Sequence, residues 1–258
     1  MKILVFIKQI PDTNDVKLDP KTGNLIRAGV AGVINPLDMH ALEAAIRLKE
    51  KYGAQVTAIS MGPPQADAVL KKALALGCDE AYLLSDRAFG GADTLATAYT
   101  LAKGAQKAGN FELLLFGQNS ADGDTAQVGP AVAAFLDIPQ VTLATGLEVE
   151  DGWVCCERSL KDSVQSVRAK LPAVVCVSRE INEPRYALPA DILGALEKPL
   201  TVWSAADIGA DTARTGTAGS ASATKRVFKP QKNSVRAEML GGGPREIAAQ
   251  LAELLEKG

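Results

Sequence analysis

The sequence predicts an α/β fold built on a doubly wound parallel sheet, and three observations carry that expectation. Short apolar runs alternate with segments of helical period up to about residue 140. The turns after the apolar runs are rich in Gly, Pro, Asn and Asp. With 47% hydrophobic and 22% charged residues, the 258-residue chain has enough apolar material for a full core. Strand-to-helix alternation of this kind feeds right-handed crossovers and a parallel sheet.

Residues 2–8 read as the first strand, followed by a turn-rich excursion over 11–33 expected as a hairpin or flap. Residues 38–52 carry Leu42, Ala45, Ile46 and Lys49 at three- and four-residue spacing and read as a helix. A strand over 55–61 precedes a helix over 64–76, with Pro64 at its start and Gly77 just beyond its end. A strand over 81–85 leads to a helix over 93–108, opened by Asp93 and closed by Lys107 before Gly109. An apolar run over 113–116 and the helical pattern 131–136 complete the alternation.

Beyond residue 140 the pattern changes. Residues 141–149, 153–158 and 163–168 are β-like around an Asp151-Gly152 turn, which predicts a β-hairpin insertion over 141–168. Residues 172–177 form a short apolar run able to rejoin the main sheet, and a proline-bounded segment spans 182–199. Residues 209–224, rich in Ala, Thr, Gly and Ser, read as a flexible linker. Ile247, Leu251, Leu254 and Leu255 give residues 243–257 the stripe of an amphipathic helix. The organisation expected is an α/β domain over 1–205, then a linker and C-terminal helical arm over 206–258.

Composition excludes several function classes. A net charge of −2, with no basic cluster interleaved with aromatics, argues against nucleic-acid binding. The four cysteines form no CxxC pair, and adjacent Cys155 and Cys156 would point to opposite faces of a strand, so no metal site is expected. No apolar run approaches the roughly 20 residues of a membrane span. The chain opens on a strand without a leader-like segment, and a cytoplasmic location is expected. His40, the one histidine, lies in the first turn of a helix away from any nucleophile context, so no catalytic side chain is assigned.

What remains is a set of strand-to-helix turns on one sheet edge, where open α/β sheets bind ligands. Phe6 and Lys8 end the first strand, and Asn35, Pro36, Leu37 and Asp38 open the first helix. Met61, Gly62 and Pro63 follow the second strand, and Thr94 and Thr97 lie three apart on the third helix. The most informative tract runs through Gly117, Gln118, Asn119, Asp122, Gly123, Asp124, Thr125, Ala126, Gln127 and Val128. Its small residues admit a ligand to the backbone, and the helix behind it offers free N–H groups to a phosphate. Asp122 and Asp124 would repel phosphate and suit ribose hydroxyls, turn amides or a helix cap. Converging turns of this kind point to a nucleotide-sized ligand; an ordinary capped turn is the alternative.

Several segments also resemble the β subunit of electron-transfer flavoproteins: Lys8-Gln-Ile-Pro-Asp12, Asn35-Pro36, Met61-Gly-Pro63, Asp122 to Gly129, Glu157-Arg158, Val167 to Val175 and Asn182-Glu-Pro-Arg-Tyr186. The resemblance covers essentially the whole chain. It implies a Rossmann-like, adenine-nucleotide-binding fold and a heterodimer whose α subunit holds one FAD. It further implies a nucleotide in the β subunit, either a structural AMP or a second FAD. In the electron-bifurcating branch that FAD takes a hydride from NADH; one electron goes to ferredoxin or flavodoxin, the other through the α-subunit FAD to an acyl-CoA dehydrogenase. Gly123 and Ala126 leave the room an extended dinucleotide needs, and Thr94 and Thr97 match the FAD-holding branch, so bifurcation is the expectation and AMP the alternative. Lys8 is expected beside a flavin ring or phosphate. Residues 182–199 are expected to anchor the dehydrogenase through Tyr186, Leu188 and Ile192, and the C-terminal arm to reach the α subunit. A non-redox nucleotide-binding protein or hydrolase on the same fold is a more distant alternative.

Overall fold

A computed structural model describes residues 1–12, 32–223 and 239–256. They fall into two units, Met1–Thr224 and Lys225–Gly258. In the first, a nine-stranded sheet has at its centre β1 (Lys2–Phe6), flanked by β4 (Gln55–Met61) and β6 (Leu113–Gly117). Beyond β4 lie β5 (Glu80–Leu84) and β11 (Leu200–Trp203), and beyond β6 lie β10 (Ala173–Val177) and β7 (Gln140–Glu150). Every pairing from β11 through to β7 is parallel. β8 (Trp153–Leu160) and β9 (Ser163–Lys170) extend the β7 edge antiparallel. The doubly wound α/β sheet expected from the alternation is therefore present.

The central strands are buried on both faces, the usual condition of a parallel sheet covered by helices. Alternate residues divide the core into two layers. Ile3, Val5, Val56 and Leu115 pack with Ala41, Leu42, Ala45, Val69 and Leu70 of α1 (Pro36–Tyr52) and α2 (Asp67–Leu76). Leu4, Phe6, Ile59, Leu114 and Phe116 pack with Ala98, Leu101, Val132 and Ala133 of α3 (Thr94–Ala108) and α4 (Val128–Leu136). The side-chain period of two supplies both layers from the same strands.

Local chemistry sets the helix ends. Pro36 occupies the first turn of α1, and Gly53 closes the helix at φ 66° with its N–H on the Lys49 carbonyl. Asp93 caps α3, its carboxylate accepting from the Leu95 and Ala96 amides. The chain runs outward from β1 through β4 to β5, then returns by α3 to β6 on the other side of β1. This reversal makes a topological switch point between β1 and β6, and the ends of these strands frame the site described below.

Several expectations change. The β-hairpin expected over 141–168 is present, turning at Asp151-Gly152, but it is continuous with the main sheet: β7 pairs with β10 at one end and with β8 at the other, across register shifts at Val175/Val177 and Ala144/Gly146. The early hairpin is present at its base, where β2 (Gln9–Pro11) pairs with β3 (Gly32–Ile34), while residues 13–31 lie outside the described residues. The edge strand β11 was not expected; Trp203 stacks on Tyr82 with ring centroids 4.0 Å apart.

The expected linker is the largest change. Residues 209–223 belong to the first unit and fold back on α3. Tyr99 accepts the Asp211 amide at 3.0 Å, the Arg214 guanidinium lies 4.1 Å over the Tyr99 ring, and Thr215 is buried. Gly216, at φ 52°, sits where a Cβ would lie 2.3 Å from the Ala88 carbonyl oxygen. Small residues here permit close backbone packing, so a composition that suits a linker also suits a closely fitted strap. Residues 224–238, the remainder of the connector, lie outside the described residues. In the second unit α6 (Pro244–Glu256) matches the expected helix. Among the described residues no helix is long and apolar enough to cross a membrane.

A packed strap resists proteases, which cleave where the chain opens locally. Trypsin should leave the Arg214–Thr215 bond of the native chain intact under conditions that digest denatured chain. Rapid native cleavage there would restore the linker reading.

Candidate functional site

At the switch point, buried polar groups fasten the start of α1 to the ends of β1 and β6. Asn35, fully buried, donates through Nδ2 to the Asn119 carbonyl at 2.8 Å and accepts the Ala121 amide at 3.1 Å. One side chain thereby pins the turn after β6 as a neighbouring strand would. The Asn35 amide itself donates to the Lys8 carbonyl at 2.9 Å. Asp38, also buried, accepts the Lys8 amide at 2.8 Å. Gly117 is needed for this approach: a Cβ would lie 2.5 Å from Asp38 Oδ1 and 2.6 Å from the Leu37 carbonyl carbon.

Above this floor, residues 121–127 are exposed. Their acidic side chains are occupied. Asp122 Oδ1 accepts from Lys8 Nζ at 2.6 Å, Ser120 Oγ accepts from the same ammonium at 3.3 Å, and Asp124 accepts from Asn119 Nδ2. Partial burial pushes the Asp122 carboxyl up, but the hydrogen bond and charge of Lys8, together with the Ser120 hydroxyl, outweigh it and hold the group below the usual carboxylate range. Lys8 is thus paired with Asp122, whereas the sequence led to the expectation that it would stand beside a flavin ring or phosphate.

Asp124 and Ala126 adopt positive φ, 48° and 53°, beside Gln127 at φ −97°. Alternating handedness of this kind turns successive amides into a concavity that accepts anions. α4 begins directly after it and has no side-chain cap. α3 differs: burial raises the Asp93 carboxyl, but the Ala96 and Ser222 hydrogen bonds more than offset that and keep it ionised on the first-turn amides. Of these two helix starts, the one without a side-chain cap is that of α4, behind the 117–128 tract. Asn119 Oδ1 is buried there without a hydrogen-bond partner, an acceptor left for a donor such as a ribose hydroxyl or an adenine amino group. The floor, concavity and free acceptor offer groups of the kind that hold a nucleotide.

The structure brings most of the sequence-predicted residues together. Lys8, Asn35, Pro36, Leu37, Asp38, Gly117, Gln118 and Asn119 form the floor, and Asp122, Gly123, Asp124, Thr125, Ala126, Gln127 and Val128 the rim. Met61, Gly62 and Pro63 lie at the same edge, one strand away at the end of β4. Thr94 joins the rim by donating to Gln127 Oε1 at 2.8 Å, while Thr97 sits half-buried one turn further along α3. Phe6 is buried and stacks on Phe116 with centroids 4.0 Å apart, so it supports the floor from below. Ser120 and Ala121, within the same tract, contribute the hydroxyl that accepts from Lys8 and the amide that donates to Asn35. His40 binds Asn182 through Nδ1, and Asn182 returns a bond to the His40 carbonyl, a structural role. Elsewhere, a cleft of about 390 Å³ in the β7–β9 meander is lined by Trp153, Arg158, Arg168 and Lys170; none of the predicted site residues reaches it.

The exposed apolar residues of 182–199 stand on a fixed base. Arg185 Nε donates to the buried Glu43 at 2.8 Å, and Arg47 pairs with the same carboxylate at 2.7 Å. Tyr186 is 94% exposed, Leu188 65% and Ile192 52%, so these side chains are not needed for the core. α5 (Pro189–Gly194), a short helix that sequence did not anticipate, carries Ile192.

Burial lifts the Asp38 carboxyl to about 7, against hydrogen bonds from Lys8, Asn35 and Gly117 that favour the anion. The folded state therefore holds a proton that the unfolded state has released between about pH 4 and about pH 7, and this contribution to stability is lost as pH rises through that window. Asp38→Asn, which does not titrate, should gain on the parent by up to about 1.4 kcal/mol per pH unit across it. Denaturant unfolding at pH 4.5, 6 and 7.5 checks this; a constant difference would place the Asp38 pKa near that of an exposed carboxylate.

The sequence model of the electron transfer flavoprotein domain matches residues 22–208. The chain is 43% identical over 258 residues to "Caffeyl-CoA reductase-Etf complex subunit CarD" of Acetobacterium woodii, covering 100% of this chain and 98% of the relative. It is 44% identical over 257 residues to "Electron transfer flavoprotein subunit beta" of Clostridium acetobutylicum, at 100% and 98% coverage. It is 39% identical over 248 residues to "Protein FixA" of Azorhizobium caulinodans, at 93% and 88% coverage. A domain match across most of the chain and relatives aligned nearly end to end show that the chain belongs to the electron transfer flavoprotein family, among its β subunits.

Proposed function

We propose that this chain is the nucleotide-holding β subunit of an electron-bifurcating flavoprotein, with FAD in the site between β1 and β6. The carrying observation is the rim: Gly123 and Ala126 add almost no side-chain bulk, and positive φ at Asp124 and Ala126 opens a concavity before the uncapped start of α4. An extended dinucleotide needs that room, and its phosphates need those amides. Asn119 Oδ1 and the exposed backbone of 121–127 would hold it, with Thr94 and Gln127 at one side. Bound there, FAD would supply the chemistry of accepting a hydride from NADH and releasing its electrons singly.

The protein's own contribution is binding and exclusion. Asp122 and Asp124, tied to Lys8 and Asn119, present little free negative charge to a phosphate. No side chain is proposed as an acid or base. The heterodimer with an α subunit belongs to the family, and the likeness to a subunit of a caffeyl-CoA reductase complex supports an acyl-CoA dehydrogenase-type acceptor for one electron. Ferredoxin or flavodoxin would take the other, in a cytoplasmic setting. Structural AMP at the same rim is the second reading, favoured by the closed Lys8–Asp122 pair, which would leave a smaller ligand sufficient.

Absorbance and extracted nucleotide of the co-produced heterodimer distinguish the readings. Two flavins per heterodimer are expected; one flavin with one AMP would support the second reading, and absence of flavin with ATP turnover would remove both. The exposed Leu188 on its Arg185-anchored base is assigned to dehydrogenase docking. Leu188→Ala should lower electron delivery to the dehydrogenase roughly tenfold, the cost of about 1.4 kcal/mol at a small hot spot. NADH-driven reduction of bound flavin should not change. Equal loss of both activities would instead indicate misfolding.

A further inference from the structure

We infer that residues 211–222 are a positioning strap for the nucleotide site, setting the first turn of α3 where Thr94 meets Gln127. The inference rests on the nucleotide reading above and adds residues that lie nearly 100 positions from the rim in sequence. Asp93, the residue before α3, is held from both sides. Its amide donates to Ser220 Oγ at 2.8 Å. Its carboxylate accepts the Ser222 amide at 2.9 Å and the Ser222 hydroxyl at 3.1 Å, besides the Leu95 and Ala96 amides. Ser220 Oγ in turn donates to the Gly216 carbonyl at 2.8 Å, and the Thr217 amide donates to Gly90 at 3.0 Å.

The next residue, Thr94, donates to Gln127 Oε1 at 2.8 Å. Gln127 immediately precedes α4 and follows Ala126, whose positive φ shapes the concavity. Hydrogen bonds from the strap to Asp93, the peptide bond from Asp93 to Thr94, and the Thr94–Gln127 hydrogen bond thus connect the strap to the rim. None of its members is required by the sheet core, which is apolar. If the strap loosens, the Asp93 carboxylate loses two of its donors and the α3 start gains freedom. Thr94 then no longer holds Gln127 at the lip of the site. By thermodynamic reciprocity, a nucleotide that orders the rim must also favour the closed strap.

The test uses the chain in complex with its α subunit, stripped of bound nucleotide, with AMP and FAD as separate probes. Replacing Ser220→Ala and Ser222→Ala together should weaken both probes about five- to tenfold, the equivalent of one lost net hydrogen bond. Circular dichroism and Tm should stay near those of the parent. Ser222→Thr, which keeps the amide and the hydroxyl, should bind like the parent. In the parent, AMP or FAD should slow hydrogen exchange at the Thr217 and Ser222 amides. Unchanged affinity in the double variant, or exchange at these amides indifferent to nucleotide, overturns the strap while leaving the nucleotide site standing. A weakening that accompanies general loss of Tm overturns it too, as the residues would then be merely structural. A parent that binds neither probe removes the nucleotide reading and the strap with it.

Discussion

The rest of the site depends on the attachment of α1 to the ends of β1 and β6 by Asn35 and Asp38. A parallel sheet leaves its strand ends without ladder partners, and a loop crossing those ends must find others. Asn35 supplies both a donor and an acceptor to the turn after β6, and Asp38 takes the amide of Lys8. Asn35 and Asp38 are themselves buried, so their bonds are costly to leave unmade and together they specify one arrangement of the turn. The absence of a Cβ at Gly117 is what lets the helix start come close enough. Phe6 and Phe116 stack beneath, which closes the floor toward the α3 and α4 layer.

On that floor, the site is organised by the way its carboxylates are employed. Free acidic groups beside an anion site would be repulsive, and the tract carries two of them. Asp122 is matched by Lys8, Asp124 by Asn119, and Asp93 by backbone amides, so each negative charge is committed to protein. The helix starts become distinguishable in consequence. α3 spends its first-turn amides on Asp93, whereas α4 has no side-chain cap. The same carboxylates that argue against a phosphate site in the sequence are therefore taken up by protein partners in three dimensions. An exposed apolar segment is handled similarly at 182–199. Arg185 and the His40–Asn182 pair hold its backbone to α1, which leaves Leu188 presented at reduced ordering cost for any partner.

The strands and helices of the first 140 residues were legible because their signals are local. Apolar period, Pro36 at a helix start, Asp93 at another and Gly53 or Gly77 beyond an end all act within a few residues of where they stand. The candidate site was legible as a set of turns, since strand-to-helix alternation forces them onto one edge. Its internal wiring was not: that Lys8 would meet Asp122 and not a ligand depends on a contact across 114 residues. Phe6 shows the same limit, as it falls in a site turn by sequence but faces the core by strand alternation.

By itself, then, the sequence determined the α/β class, the order of its early elements and the gathering of the candidate-site turns on one sheet edge, because periodicity and capping are properties of short segments. Tertiary structure alone decided that β7 would turn from the parallel sheet into the meander, that 200–203 would become an edge strand, and that 209–223 would pack and not swing free. Each of those outcomes rests on pairing between distant segments. The strap states the reason most clearly: small polar residues carry no burial signal of their own, and what holds Ser220 and Ser222 is Asp93, well over a hundred residues earlier in the chain.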